Sequence, residues 1–208
     1  MANVSYLTFR ERFIRYGCFS GNHVLMWRQD FDANNFTRWC KQGLLVRLRQ
    51  GWYAFAECLR QSDFARFVAG RIYKPSYISL HTALSFYGMI PEAVVSINSV
   101  TTQKTQTFTN AFGEYTYQHV KPSLLFGFEI KKMEDGRAVA FALPEKALLD
   151  LLYLYPMYRT EDDMLELRLD EAFMGDELDV GRLEDYLRRF DCGALEERVG
   201  ILRNAYGI

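Results

Sequence analysis

The chain lacks the means for a redox, zinc or disulfide framework. Four cysteines among 208 residues, Cys18, Cys40, Cys58 and Cys192, form no CxxC pair. The three histidines, His23, His81 and His119, have no ligand-like neighbours at fixed spacing. Such usage fits free thiols in a reducing cytoplasm and not a metal site. No apolar run approaches the roughly 20 residues that span a bilayer; residues 148–155 are interrupted by Asp150 and stopped by Pro156. The first residues carry no apolar segment of the secretory kind, and charge begins at Arg10. A cytoplasmic protein with no membrane partner is therefore expected. No GxxxxGK[ST], HExxH or GxSxG is present, and there is no internal repeat or low-complexity segment. With these absent, the expectation is no catalytic site, no metal and no cofactor.

A strong overall charge is also missing, but the net −1 hides an asymmetry. Residues 1–60 hold nine Lys/Arg against four Asp/Glu, residues 61–132 seven against four, and residues 133–208 nine against eighteen. A basic head favours phosphate, and an acidic tail cannot dock on it. Hydrophobic residues at 49% and charged ones at 25% are ordinary for a globular domain, whereas aromatics at 15% are high.

What is present concentrates in residues 32–55. Asp32 is placed to cap a helix N-terminus, and Gly43 sits where a C′ glycine would end it. Phe36, Trp39 and Cys40 share one face by three-and-four spacing, which leaves Asn34, Asn35, Thr37, Arg38 and Lys41 facing outward. Residues 44–48 and 52–55 then read as two strands around Arg49, Gln50 and Gly51. A polar helix running into a basic hairpin is the equipment of a winged helix-turn-helix that reads double-stranded DNA. Asn pairs with the N6/N7 edge of adenine and Arg with O6/N7 of guanine in the major groove. Asn34, Asn35, Arg38 and Lys41 are the candidates for that face, with Thr37 nearer the backbone. Arg47, Arg49 and Gln50 would meet phosphates or the minor groove from the hairpin. The alternative is a solvated helix and hairpin that serve protein contact.

Around this segment, residues 5–17 and 20–29 read as helices, which completes a module of residues 1–58 of winged-helix size. Residues 59–208 form a second part. Ser62 opens an amphipathic helix, and residues 79–87 read as another, ended by Gly88. Strands fit residues 94–102, 106–112, 114–120, 124–132 and 137–143, punctuated by Gly113, Pro122 and Asp135-Gly136. From Pro144 the chain turns helical, with Ala147, Leu148, Leu151, Leu152 and Tyr155 as an apolar stripe. Further helices fit 161–174, 180–190 and 194–205. The fold class expected is α+β: an N-terminal winged helix, a mixed domain with a central antiparallel sheet, and acidic C-terminal helices.

Two constellations could carry other chemistry. Glu129 and Lys131 share a strand face as E-x-K, and Glu114 lies in the preceding predicted strand, a set that could hold Mg²⁺ for phosphodiester cleavage. Alternation also places such polar residues on the outer face of any sheet. Glu161, Asp162, Asp163, Glu166, Asp170 and Glu171 read as a wet helix face rather than a carboxylate metal site.

Three stretches carry a resemblance to AbiEi-type antitoxins, the regulator half of abortive-infection toxin–antitoxin pairs. They are GLLVRLRQGWY at residues 43–53, YISLHTALSFYGMIP at 77–91, and the passage from VTT at 100–102 to ALPEKALLD at 142–150. The middle stretch is the most specific. The resemblance implies an N-terminal winged helix that binds inverted repeats in the promoter of its own operon and represses it. It also implies that the remainder neutralises a cognate nucleotidyltransferase-like toxin encoded next door. No Gly-Ser followed by paired aspartates of the nucleotidyltransferase kind is present, so the chain is similar to the antitoxin and not the toxin. The runner-up is a transcriptional regulator whose second domain senses a ligand or pairs two subunits.

Overall fold

The computed structural model describes residues 4–61, 63–133 and 136–208. Ser62, expected to open a helix, and Asp135, expected in a turn, lie outside the described residues.

The N-terminal part runs α1 (Tyr6–Phe13), β1 (Cys18–Ser20), α2 (Gly21–Trp27), α3 (Asn34–Lys41), β2 (Leu45–Arg49) and β3 (Trp52–Phe55). Each helix starts where its sequence supplies an acceptor. Ser5 Oγ accepts the Thr8 N–H at the head of α1. Ser20 and His23 cap α2 reciprocally: the hydroxyl accepts the His23 N–H, and the imidazole Nδ1 accepts the Ser20 N–H. The strands form an antiparallel sheet in the order β1-β3-β2; β1, three residues long, is too short to show alternation in the sequence. Aromatic rings fill the core of this part. Phe9 packs against the rings of Phe13, Phe19, Phe36, Trp39 and Phe55, with centroids 4.8–6.2 Å away.

The second part adds α4 (Phe64–Ile72), β4 (Ser76–Ile78), α5 (Leu80–Phe86), β5 (Ile97–Thr101), β6 (Gln106–Asn110), β7 (Gly113–His119), β8 (Phe128–Lys132), β9 (Ala138–Ala142), α6 (Pro144–Leu154), α7 (Glu161–Leu165), α8 (Val180–Phe190) and α9 (Gly193–Tyr206). The sheet order is β6-β7-β5-β4-β9-β8. Contrary to the antiparallel expectation the sheet is mixed, because β5 pairs with β7 and β4 with β9 in parallel. Burial explains the arrangement. In the β6–β7 hairpin it is β7 that carries the buried Tyr115 and Tyr117, so β7 takes the inner place beside β5 and the polar β6 is left at the edge. In the β8–β9 hairpin, β9 contributes the buried Val139, Phe141 and Ala142 and β8 becomes the other edge.

Helix α6 is buried on every side from Glu145 to Leu152, not along a single stripe, and α5, α8 and α9 pack around it. The helix expected over 161–174 is broken. Arg168 takes a left-handed conformation, φ +51°, between α7 and a π-helical turn at Phe173–Glu177. The break lets Leu167 and Leu169, two residues apart, both enter the core, which one continuous helix would prevent. The acidic C-terminal segment is therefore a packed part of the fold, with Leu183, Leu195, Val199 and Leu202 buried.

Contacts cross the boundary expected at 58/59. Asn110 Nδ2 donates to the Leu48 carbonyl at 3.1 Å, and the Arg49 guanidinium lies 5.8 Å from the Tyr73 ring. A Cβ on Gly17 would lie 2.8 Å from the Phe67 ring, so the N-terminal part rests on α4 with no room to spare.

Candidate nucleic-acid interface

Helix α3 is oriented by its buried face. Phe36 stacks on Tyr53 of β3 with centroids 4.5 Å apart, and Trp39 meets Tyr6 and Phe9 of α1. Asp32 Oδ1 accepts the Asn34 N–H at 2.9 Å, and Gly43, at φ +69°, releases the chain into β2. Held this way, Asn34, Thr37, Arg38 and Lys41 are exposed on one side of the helix, at the i, i+3, i+4, i+7 spacing of a single face. Together with Gln42 they line a shallow groove.

Two of the expected contacts are placed differently. Asn35 does not face outward: it is 2% exposed, and its Oδ1 accepts from Arg38 Nη2 at 2.6 Å. Three residues apart on one helix, the amide sits inside and fixes the guanidinium outside. Cys40, expected in the core with Phe36 and Trp39, is half-buried.

In the hairpin, Arg47 is exposed opposite Tyr53, and Gln50 is exposed at the tip beside Gly51, φ +75°. Arg49 does not follow Arg47 outward. The register shifts between these two residues, and the irregularity re-aims the Arg49 side chain toward the second part. Its guanidinium lies 5.8 Å from the Tyr73 ring and 5.5 Å from the Phe108 ring. Alternation along the strand cannot reveal a bulge, so this turn was invisible in the sequence.

The constellation considered for Mg²⁺ is not assembled. Glu129 is ion-paired with Lys131 at 2.7 Å on β8, and Glu114 lies on β7, with β5, β4 and β9 between them. Among the described residues no three His, Cys, Asp or Glu side chains cluster as metal ligands.

One polar network escaped the sequence reading. Lys146 and Asp150, one turn apart on α6, form a fully buried ion pair. Tyr77 Oη and Ser79 Oγ donate to Asp150 Oδ2 at 2.9 and 2.8 Å, and Lys146 Nζ donates to Tyr77 Oη at 2.8 Å. The Lys146 ammonium also lies about 5 Å from the Phe126 and Phe190 rings. Burial pushes the Asp150 carboxyl up and the Lys146 amine down, and each partner opposes the shift in the other. The network joins residues 77–79, at β4, to residues 146–150 of α6. The available signal was a lysine and an acid at i, i+4 inside an otherwise apolar helix.

No protein-family model matches the chain, and no curated protein matches its sequence. Among the described residues no helix is long and apolar enough to cross a membrane.

Proposed function

We propose that the protein is a DNA-binding autorepressor and antitoxin, with α3 as the recognition helix of a winged helix and the β2–β3 hairpin as its wing. The observation that carries the reading is the exposed row Asn34, Thr37, Arg38 and Lys41, followed within a few residues by a hairpin bearing the exposed Arg47 and Gln50. Amides and guanidinia on the exposed face of a helix match base edges, and a basic hairpin following it matches phosphate. The toxin-neutralising half rests on the family resemblance, with a nucleotidyltransferase-like toxin as partner.

Fluorescence-polarisation titration of the DNA upstream of its own gene, against scrambled DNA at several salt concentrations, tests the regulator half. Specific binding roughly a thousandfold above scrambled supports it, and equal weak binding removes it. Arg47→Ala is expected to weaken all sequences alike and lower the salt slope by about one. An effect confined to one base position would show that Arg47 reads a base instead.

Neutralisation is best tested on surface charge, since removing residues 157–208 would strip buried side chains from the core. We expect Glu161→Gln, Asp162→Asn, Asp176→Asn and Glu177→Gln combined, all at exposed positions, to abolish rescue from the co-expressed toxin and spare operator binding. Full rescue by the combined variant would exclude that acidic face.

A further inference from the structure

A cleft between the N-terminal part and α4 holds two neighbouring compartments that share two lining residues. The first, about 350 Å³, is walled by Phe13, Tyr16, Phe19, Met26 and Trp27 and bordered by Arg12. The second, about 470 Å³, is walled by Arg49, Trp52, Ile72 and Lys74. His23 and Arg71 line both. Either compartment is within the roughly 300–1,000 Å³ typical of small-ligand sites.

The charges in this cleft are of one sign. Arg12, Arg49, Arg71 and Lys74 have no carboxylate partner among the described residues, and no acidic residue lines either compartment. The Nε atoms of Arg49 and Arg71 are shielded from solvent and meet no acceptor. Arg71 instead contacts the buried Cys18 thiol and the Phe67 ring. Partial burial, with the Arg71 charge nearby, lowers the Lys74 ammonium below its ordinary value. Cations gathered beside one another without a counter-charge raise the potential of the cleft and favour an anion there. In the adjoining compartment the exposed Tyr16 ring and the half-buried Trp27 ring offer a flat apolar body a stacking surface.

We infer that this cleft binds a nucleoside phosphate, its base against the Tyr16 and Trp27 side and its phosphate among Arg49, Arg71 and Lys74. Because Arg49 and Trp52 belong to the β2–β3 hairpin, an occupant would touch the hairpin and α4 at once. The inference does not depend on the DNA-binding reading, and its test uses no operator.

Trp27 and Trp52 wall the cleft, whereas the third tryptophan, Trp39, is buried in the N-terminal core. Tryptophan quenching of the full chain by AMP, GMP, UMP and ATP, with adenosine and inorganic phosphate as controls, therefore reads occupancy directly. At least one nucleotide is expected to bind about tenfold more tightly than either control, and Arg71→Gln to weaken that binding about tenfold. Lys74→Gln, at an exposed position, tests the same compartment without disturbing packing and is expected to weaken binding about threefold. The proposal is overturned if no nucleotide binds more tightly than both controls, or if Lys74→Gln binds like the parent. It is equally overturned if a scrambled duplex, and no nucleotide, quenches these tryptophans in a Lys74-dependent way.

Discussion

Asp150→Ala is expected to destabilise the protein by about 3–5 kcal/mol, because it leaves the Lys146 ammonium buried with no counter-charge. The same change strands the hydroxyls of Tyr77 and Ser79, which both donate to the lost carboxylate. Lys146→Met should cost a comparable amount from the other side. The double variant Lys146→Met with Asp150→Leu should recover most of the loss, since an apolar pair of similar volume removes both charges together. Urea unfolding of the four proteins checks this. A single-variant loss below about 1 kcal/mol would mean that neither side chain is left as an uncompensated buried charge. The result separates what the pair contributes to stability from what it contributes to holding β4 against α6.

Arg38→Ala is expected to lower affinity for the preferred duplex by about 1–3 kcal/mol, with little change on scrambled DNA. Its stability should also fall, by about 1–3 kcal/mol, because the buried Asn35 Oδ1 loses its donor. Asn35→Ala should cost less binding, because the Arg38 guanidinium is still present to reach a base. It removes a buried amide and frees the Arg38 side chain, so it should lose about 1–3 kcal/mol of stability together with part of the binding. Asn35 is thus a positioning residue. Comparing polarisation titrations with unfolding curves for the two variants distinguishes them. If Asn35→Ala loses discrimination between bases as completely as Arg38→Ala and keeps its stability, Asn35 contacts DNA itself.

Much of the fold was legible where local signals agreed. Ser5, Ser20 and Gly43 mark helix ends by side-chain oxygens or by a backbone angle that only glycine adopts freely, and such signals sit within three residues of what they control. The exposed row on α3 followed from helical spacing alone. What escaped depends on partners distant in sequence. Strand direction in the second sheet is set by which member of each hairpin carries the buried side chains, and alternation marks a strand without naming its neighbour. Asn35 looked solvent-facing because polarity was read as exposure; the arginine three residues on supplies the acceptor's partner. Arg49 was misdirected by a bulge, and the Lys146–Asp150 pair was hidden by its apolar setting.

The fit of Gly17 against Phe67, with Asn110 reaching across to the Leu48 carbonyl, bears on how the molecule fails. Separating the halves would uncover the Phe64 and Phe67 rings that Gly17 covers and strip Arg49 from the Tyr73 and Phe108 rings, so neither half is built to survive as an independent cooperative unit. Heating should then give one transition, not two. Under the function proposed above, proteolysis of the C-terminal body would leave no durable DNA-binding fragment behind. Promoter release and loss of protection would come as a single event.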